Sequence, residues 1–539
     1  MQTSSTVPLR LRFFSAVLTG LMLCLFSPAH ARPASGFVSV KDGRFIDPEG
    51  RHLLLHGINI VSKNRQGNYQ PRVTEKDFEQ LRAWGWNCIR FGVSWDGLEP
   101  EINRFDEAYL EKLDGWIALA KQYGFYVFLD MHQDLFNHKY GNGAPDWATL
   151  DDGMPHLRGA IWSDAYMISP AVQTVFDNFW ANKPCADGVG VQDHFAAAWK
   201  KLAERYKDEP AVIAYDLFNE PNIGSGNAAI ILEVLNAYVS NTDKLAEGDK
   251  PLTLDEVMQP NPQRNLRSVL AKQMQNLELY QALLDAAAPL CVDFESTRLT
   301  AMFQRVRDAI RSVDQNHIIF LETNISANMG VPTGVQPLVD ETGQRDPLLA
   351  YAPHAYDIVV DTHDLELAFN GRLELIFRRH AESGKRLDMP VLIGEWGAFG
   401  RGSAGILPSA RFTVAMMEKY LMSNTYWDYS YGLNDSPCHE IFERPIARNT
   451  SGILLSCATD FEKGSFECRW KEDPTIKAPT CIFLPERMAP YLDAICVAPA
   501  GTGWSVTRPY ENSAAAVIEI PAAGGQEERT FFIAPPETD

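Results

Sequence analysis

Two stretches decide how this chain is read: Val212-Ile213-Ala214-Tyr215-Asp216-Leu217-Phe218-Asn219-Glu220-Pro221 and Pro390-Val391-Leu392-Ile393-Gly394-Glu395-Trp396-Gly397. Each is a short apolar, β-type run that closes on a glutamate. A carboxylate ending a buried strand contributes nothing to folding. It sits where a (β/α)8 barrel keeps its chemistry, at the C-terminal ends of the strands. Two such carboxylates on different strands suit glycoside hydrolysis, which uses one acid and one nucleophile or base.

Working outward, the same kind of run recurs. Leu53-Leu54-Leu55-His56-Gly57-Ile58-Asn59 is continuously apolar, as buried parallel strands are. Further strands are expected at 88–93, 125–131, 317–322, 349–356 and 424–431. Helical spacing fills the intervals: Phe78, Leu81 and Trp84 after a capping Thr74, then Leu110, Leu113, Ile117 and Ala120, then residues 302–313. Eight parallel-type strands with intervening helices predict an α/β chain, a closed (β/α)8 TIM barrel over residues 37–435. Two insertions on its catalytic face interrupt the pattern. Residues 136–195 are rich in Trp, Tyr and Phe, and residues 223–300 hold a long polar, partly helical stretch. Beyond 436 short β-type runs (502–508, 514–520, 530–534) predict a C-terminal β-sandwich domain over 436–539.

Residues 1–31 read as a signal peptide. Arg10 and Arg12 precede an apolar run over 13–26, and Ala29-His30-Ala31 has the small-x-small form of a cleavage site. A secreted or periplasmic protein beginning near Arg32 is expected; an uncleaved anchor is the alternative. No later stretch reaches the roughly 20 apolar residues of a membrane-spanning helix. Removing two arginines takes the net charge from −20 to −22. That excludes nucleic acid as a partner and opposes simple adhesion to anionic lipid. It leaves open a transient contact with a membrane or micelle surface through an apolar patch. Five cysteines between Cys438 and Cys496 suit an oxidising compartment, with their pairing open, whereas Cys88 reads as a small apolar strand residue. No cysteine–histidine spacing has the form of a zinc site.

Asn219-Glu220-Pro221 with Glu395 resembles the retaining glycosidases built on this barrel. Arg90, His132, His354-Ala355-Tyr356 and Trp427, each at a strand end, extend the likeness to glycoside hydrolase family 5. Within that family, Leu129-Asp130-Met131-His132-Gln133-Asp134, Gly141-Asn142-Gly143-Ala144-Pro145-Asp146-Trp147-Ala148 and Tyr215-Asp216-Leu217-Phe218-Asn219-Glu220-Pro221 look like the endoglycoceramidases. Gly57-Ile58-Asn59 with Lys63, and Cys291-Val292-Asp293-Phe294-Glu295, support this. The likeness covers roughly residues 50–435.

The resemblance implies roles. Glu220 is the expected acid/base and must hold a proton at working pH. Glu395 is the expected nucleophile, with Arg90 as a fixed cation that favours its charged form and Tyr356 as a hydrogen-bond donor to it. Asn219 is expected to bond the sugar 2-hydroxyl. Lys63, His132, Asp134 and His354 would bond other hydroxyls, and Trp427 would stack on a sugar ring. No metal or organic cofactor is implied. The implied reaction is hydrolysis of the β-glycosidic bond between glycan and ceramide of a glycosphingolipid by double displacement. Alternatives are a β-glucosidase acting on glucosylceramide or a steryl glucoside, a β-glucanase on soluble polysaccharide, and a non-catalytic carbohydrate- or lipid-binding protein. Departures cluster around the site. Lys63-Asn64-Arg65-Gln66-Gly67-Asn68-Tyr69 lacks two prolines usual in that loop, Glu322-Thr323-Asn324 replaces a commoner Glu-Pro, and the insertion around 226–286 is long. These bear on glycan and aglycone preference, not on the reaction.

Overall fold

The computed structural model of the chain describes residues 36–536 apart from 254–255, 257–263, 361, 363, 400–403, 431, 509 and 511. The export segment expected at 1–31 lies outside the described residues. Eight strands form one parallel sheet: β1 (His56–Ile60), β2 (Cys88–Val93), β3 (Tyr126–Met131), β4 (Val212–Asp216), β5 (Ile318–Leu321), β6 (Leu349–Tyr351), β7 (Leu392–Gly397) and β8 (Ser423–Trp427). Their order is β7-β8-β1-β2-β3-β4-β5-β6. Bridges from Tyr351 to Val391 and from Ala355 to Trp396 join the last strand to the first and close the barrel.

Every residue of β1 to β4 is buried, which is why these strands read as mainly apolar runs in which a few polar residues (Asn59, Arg90, Asp130, Asp216) stand out. Gly57 is bare for a reason: a Cβ there would stand 1.8 Å from the Cys88 carbonyl oxygen of the neighbouring strand. The helix Glu75–Ala83 starts where Thr74 predicts, with the Thr74 N–H donating to the Asp77 carboxylate at 2.6 Å, and buries Phe78 and Leu81.

The N-terminal end of the barrel is plugged. The hairpin Ser39–Lys41/Arg44–Ile46 presents Phe45, whose ring lies 5.9 Å from Phe320, itself 5.0 Å from Phe128. Only the opposite end is left for chemistry.

Three boundaries differ from the sequence reading. The run 53–59 is two strands, because the chain changes sheets at Leu54-Leu55: Leu54 N–H donates to Arg448, while the Leu55 carbonyl accepts from Asn424 of β8. β6 stops at Tyr351 and not at 356, since Pro353 has no N–H to continue a ladder. β8 ends at Trp427.

The C-terminal domain is a two-sheet antiparallel sandwich. One sheet carries Ile446–Thr450, Thr480–Leu484, Ser505–Thr507 and Ala516–Ile520; the other carries Gly452–Asp460, Ser465–Glu472, Cys496–Ala498 and Glu528–Ile533. Leu454, Trp470, Ile482, Ile518 and Phe531 fill the space between them. The strands Ser39–Lys41, Arg44–Ile46 and His52–Leu53 extend the first sheet, through Leu53 against Asn449. Arg444 donates to Glu418 of the barrel at 2.7 Å, both side chains buried. The eight cysteines from Cys88 to Cys496 are free thiols, and Cys88 is packed inside β2. Among the described residues no helix is long and apolar enough to cross a membrane.

Candidate active site

At the open end of the barrel the two glutamates converge. A carboxylate oxygen of Glu220, one of Glu395 and a ring nitrogen of His354 all lie within 4.8 Å of one another. Arg90 sits beneath them. It occupies the third position of β2 rather than its end, and it is fully buried. Its guanidinium donates to Glu395 Oε1 at 2.7 Å, Asp216 Oδ2 at 2.8 Å, Glu322 Oε1 at 2.6 Å, Asn219 Oδ1 at 2.9 Å and Asn59 Oδ1 at 3.1 Å. Asp130 Oδ1 lies 3.0 Å from Nη2. Four buried carboxylates therefore share one cation. Asp130, Asp216 and Glu322 also lie within 4.8 Å of one another, a donor set that would suit a metal, but the guanidinium already bonds all three.

Sharing has an electrostatic result. Burial pushes Glu395 above the usual carboxylate range, against the pull of His354 and Arg90. Arg90 does favour the charged form, as expected, but burial outweighs it because its charge is spread over four partners. Asp216 is driven well above the usual range, first by burial and then by Glu322, against the pull of Arg90. His354 is the second cation. Burial alone would lower it, but Glu322 and Glu395 raise it well above the usual imidazole value. Its Nδ1 stands 2.9 Å from Glu220 Oε1 and 3.5 Å from Glu395 Oε2. Tyr356 donates to Glu395 Oε2 at 3.0 Å.

Glu220 is held in an uncommon backbone conformation, φ +43°, in the left-handed region. Glu322 Oε2 accepts its N–H at 2.8 Å, Gln133 donates to its carbonyl at 3.2 Å, and Asn328 Nδ2 donates to its carboxylate at 2.5 Å.

A polar wall stands on the β1–β3 side. His132 follows β3, with Nδ1 2.7 Å from Asp130 and Nε2 3.6 Å from Asp134. Burial would lower it, but Asp130 and Asp134 raise it to about 9. Lys63 bridges to Asp134 at 2.5 Å, with its ammonium 4.8 Å from the Trp427 ring centre. Asn142 also donates to Asp134. Trp427 stacks on His132 at 5.3 Å and 14°. These groups open onto a cleft of about 390 Å³ that Trp162 and Tyr166 also line.

The structure thus brings all ten sequence-selected residues into one neighbourhood. Of the other loop aromatics, Trp147 packs against Trp95, and Trp180 packs among Phe176, Phe218 and Phe294. Asp130, Asp216, Glu322 and Asn328 are site residues that the sequence reading gave no role. The first two carried a signal: each is a lone acid in an otherwise apolar strand.

The family model described as cellulase (glycosyl hydrolase family 5) matches residues 46–249 and 273–432, and that of the glycoside hydrolase family 5 C-terminal domain matches residues 444–527. Endoglycoceramidase I of Rhodococcus hoagii is 26% identical over 526 residues, 92% of this chain and 91% of the relative. A glucosylceramidase of Aspergillus fumigatus is 29% identical over 244 residues, 34% of this chain and 32% of the relative. Among solved structures, endo-glycoceramidase II from Rhodococcus sp. in complex with ganglioside GM3 superposes with a TM-score of 0.68 at 25% identity, covering 92% of this chain and 100% of that one.

Proposed function

The chain belongs to glycosyl hydrolase family 5 and is a glycoside hydrolase, and from this premise we propose that it is a retaining endo-β-glycosidase that cuts glycosphingolipids between glycan and ceramide. The observation that carries the mechanism is the separation of the two carboxylates. One oxygen of each lies within 4.8 Å of the other, an approach that suits the roughly 5–5.5 Å spacing of double displacement better than the ~6.5–9.5 Å that an inverting enzyme needs to seat a water.

In this reading Glu395 attacks the anomeric carbon while Glu220 protonates the departing ceramide oxygen. A covalent glycosyl-enzyme forms, ceramide leaves, and Glu220 then takes a proton from the water that releases the glycan. Arg90, the His354 imidazolium and Tyr356 orient Glu395 for attack. Asn219 is bonded to Arg90 through its oxygen and to the Gln133 carbonyl through one amide hydrogen, so the other hydrogen is left for a sugar hydroxyl. Asp134, Lys63 and His132 form the sugar-facing wall beside the Trp427 ring.

A lipid aglycone is supported by a second cavity of about 400 Å³, lined mainly by apolar side chains such as Ile230, Val234, Leu270 and Leu284. It shares Met167, Met329 and Ile358 with the catalytic cleft, so sugar and tail sites are contiguous. The likeness to endoglycoceramidases agrees with this. Arg10 and Arg12 ahead of the apolar run over 13–26, with Ala29-His30-Ala31 after it, support export to the periplasm or beyond, which the N-terminal mass of the recovered protein tests.

Incubating the protein with ganglioside GM3 and lactosylceramide in detergent, beside Glu220→Gln and Glu395→Gln, tests the whole reading. Free ceramide with intact glycan, lost in both variants, is expected. Release of glucose from glucosylceramide alone would favour a glucosylceramidase, the second reading suggested by the Aspergillus relative. Turnover of a soluble aryl β-glycoside without cleavage of any glycolipid would overturn the lipid assignment.

A further inference from the structure

The insertion after β4 read as polar, yet its first helix, Asn227–Ser240, carries a single charge, Glu233. Its inner side is spoken for: Ile230, Val234 and Tyr238 line the apolar cavity. One flank of its outer side is apolar as well. Leu232 is 57% exposed and Val239 66%, and the half-buried Leu235, at helical spacing from both, also lines the cavity, while Glu233, Asn236 and Ser240 hold the opposite flank. Two neighbours of cavity-lining residues point the same way in character: Ile168 beside Met167, and Val269 beside Leu270, are both exposed. The apolar surface therefore continues from inside the cavity over its rim to the outside. An apolar arc that runs from a cavity out to an exposed flank, on a helix with a single charge, suits a medium that is itself apolar.

We propose that the exposed apolar flank of Asn227–Ser240, with Leu232 and Val239, is the surface by which this protein settles on a zwitterionic lipid bilayer, so that the apolar cavity opens toward the layer from which the aglycone comes. The proposal rests on the reading of that aglycone as a lipid. Two observations select this occupant. The flank is continuous, through Leu235, with the cavity that adjoins the catalytic cleft. The helix has no lysine or arginine, and the chain carries a net charge of −20, so attraction to anionic headgroups supplies nothing and apolar insertion must do the holding.

The sandwich offers a rival face, with Ile453, Leu455 and Phe532 exposed on its four-stranded sheet. Point variants separate the two without cutting a domain whose first sheet includes strands from residues 39–53. Flotation with phosphatidylcholine vesicles would compare the unaltered protein, Leu232→Glu/Val239→Glu and Leu455→Glu/Phe532→Glu, with hydrolysis of a soluble aryl β-glycoside as the control for folding. We expect the vesicle-bound fraction to fall at least roughly tenfold in Leu232→Glu/Val239→Glu alone, with soluble turnover unchanged. No flotation of the unaltered protein, equal flotation of all three, or loss only in the sandwich variant would overturn the proposal. So would a dimer in solution that Leu232→Glu/Val239→Glu dissociates, which would assign the face to a second copy. Flotation that follows the expected order, with no glycolipid cleaved, would leave the docking face standing and sink the proposed substrate.

Discussion

Glu322 holds Glu220 by its backbone: one oxygen accepts the Glu220 N–H at 2.8 Å while the other accepts from Arg90 at 2.6 Å. A single carboxylate thus ties the cation at the floor of the site to the conformation of the residue above it. Glu322→Gln keeps the volume but turns one acceptor into a donor facing a donor. We expect kcat on an aryl β-glycoside to fall about 10- to 100-fold, with KM little changed, as for groups that orient a catalytic partner. Steady-state kinetics, with circular dichroism to establish folding, would measure it; a change confined to KM would show that the contact serves binding instead.

Arg90 donates to Asp216 and stands 3.0 Å from Asp130, and all three are fully buried. Arg90→Met would strand carboxylates in the barrel interior. The expected loss is about 3–5 kcal/mol of stability in urea unfolding, in addition to lost activity. Unfolding at the same urea concentration as the unaltered protein would refute the shared-cation account.

His132 titrates at about 9, raised from an ordinary 6.5 by Asp130 and Asp134 against burial. Folding therefore favours its protonated form. The stability it contributes is complete below about 6.5 and is lost as pH rises through about 9, amounting to up to roughly 3 kcal/mol. Thermal unfolding from pH 6 to 10 should decline over that window in the unaltered protein and stay flatter in His132→Gln. Parallel curves would place the titration elsewhere.

Burial raises Glu395 above its ordinary value despite His354 and Arg90. If its ionised form attacks, kcat/KM should fall on acidification along a limb centred above the usual carboxylate range. Tyr356→Phe removes a donor to the ionised form and should move that limb further up. An upward shift is the expected reading of a pH–rate profile; an unmoved limb would detach it from Glu395.

The barrel was legible because β1 to β4 are buried on both faces, which writes them as mainly apolar runs. The catalytic pair was legible for the same reason, since Glu220 and Glu395 stand against an apolar background. What escaped was what depends on distant partners. Asp216 meets Arg90 across 126 residues of chain, and neither residue type announces the other. The strands at 39–53 are two or three residues long, too short to show a period. Residues 223–300 read as a polar, partly helical stretch, and composition taken over so long a span hides one apolar helix and does not say which side of it faces out.

The pairing of the first strands with the last domain has a temporal side. Asn449 donates to Asp47 across 402 residues, and Leu53 finds its β partner only in Asn449. The hairpin that stoppers the barrel floor therefore cannot complete its sheet until the ribosome has made nearly the whole polypeptide. Closing so long a loop is slow, and the far edge of His52–Leu53 must wait for it although the hairpin can pair within itself. The last step in building the barrel floor thus depends on residues downstream of both catalytic glutamates.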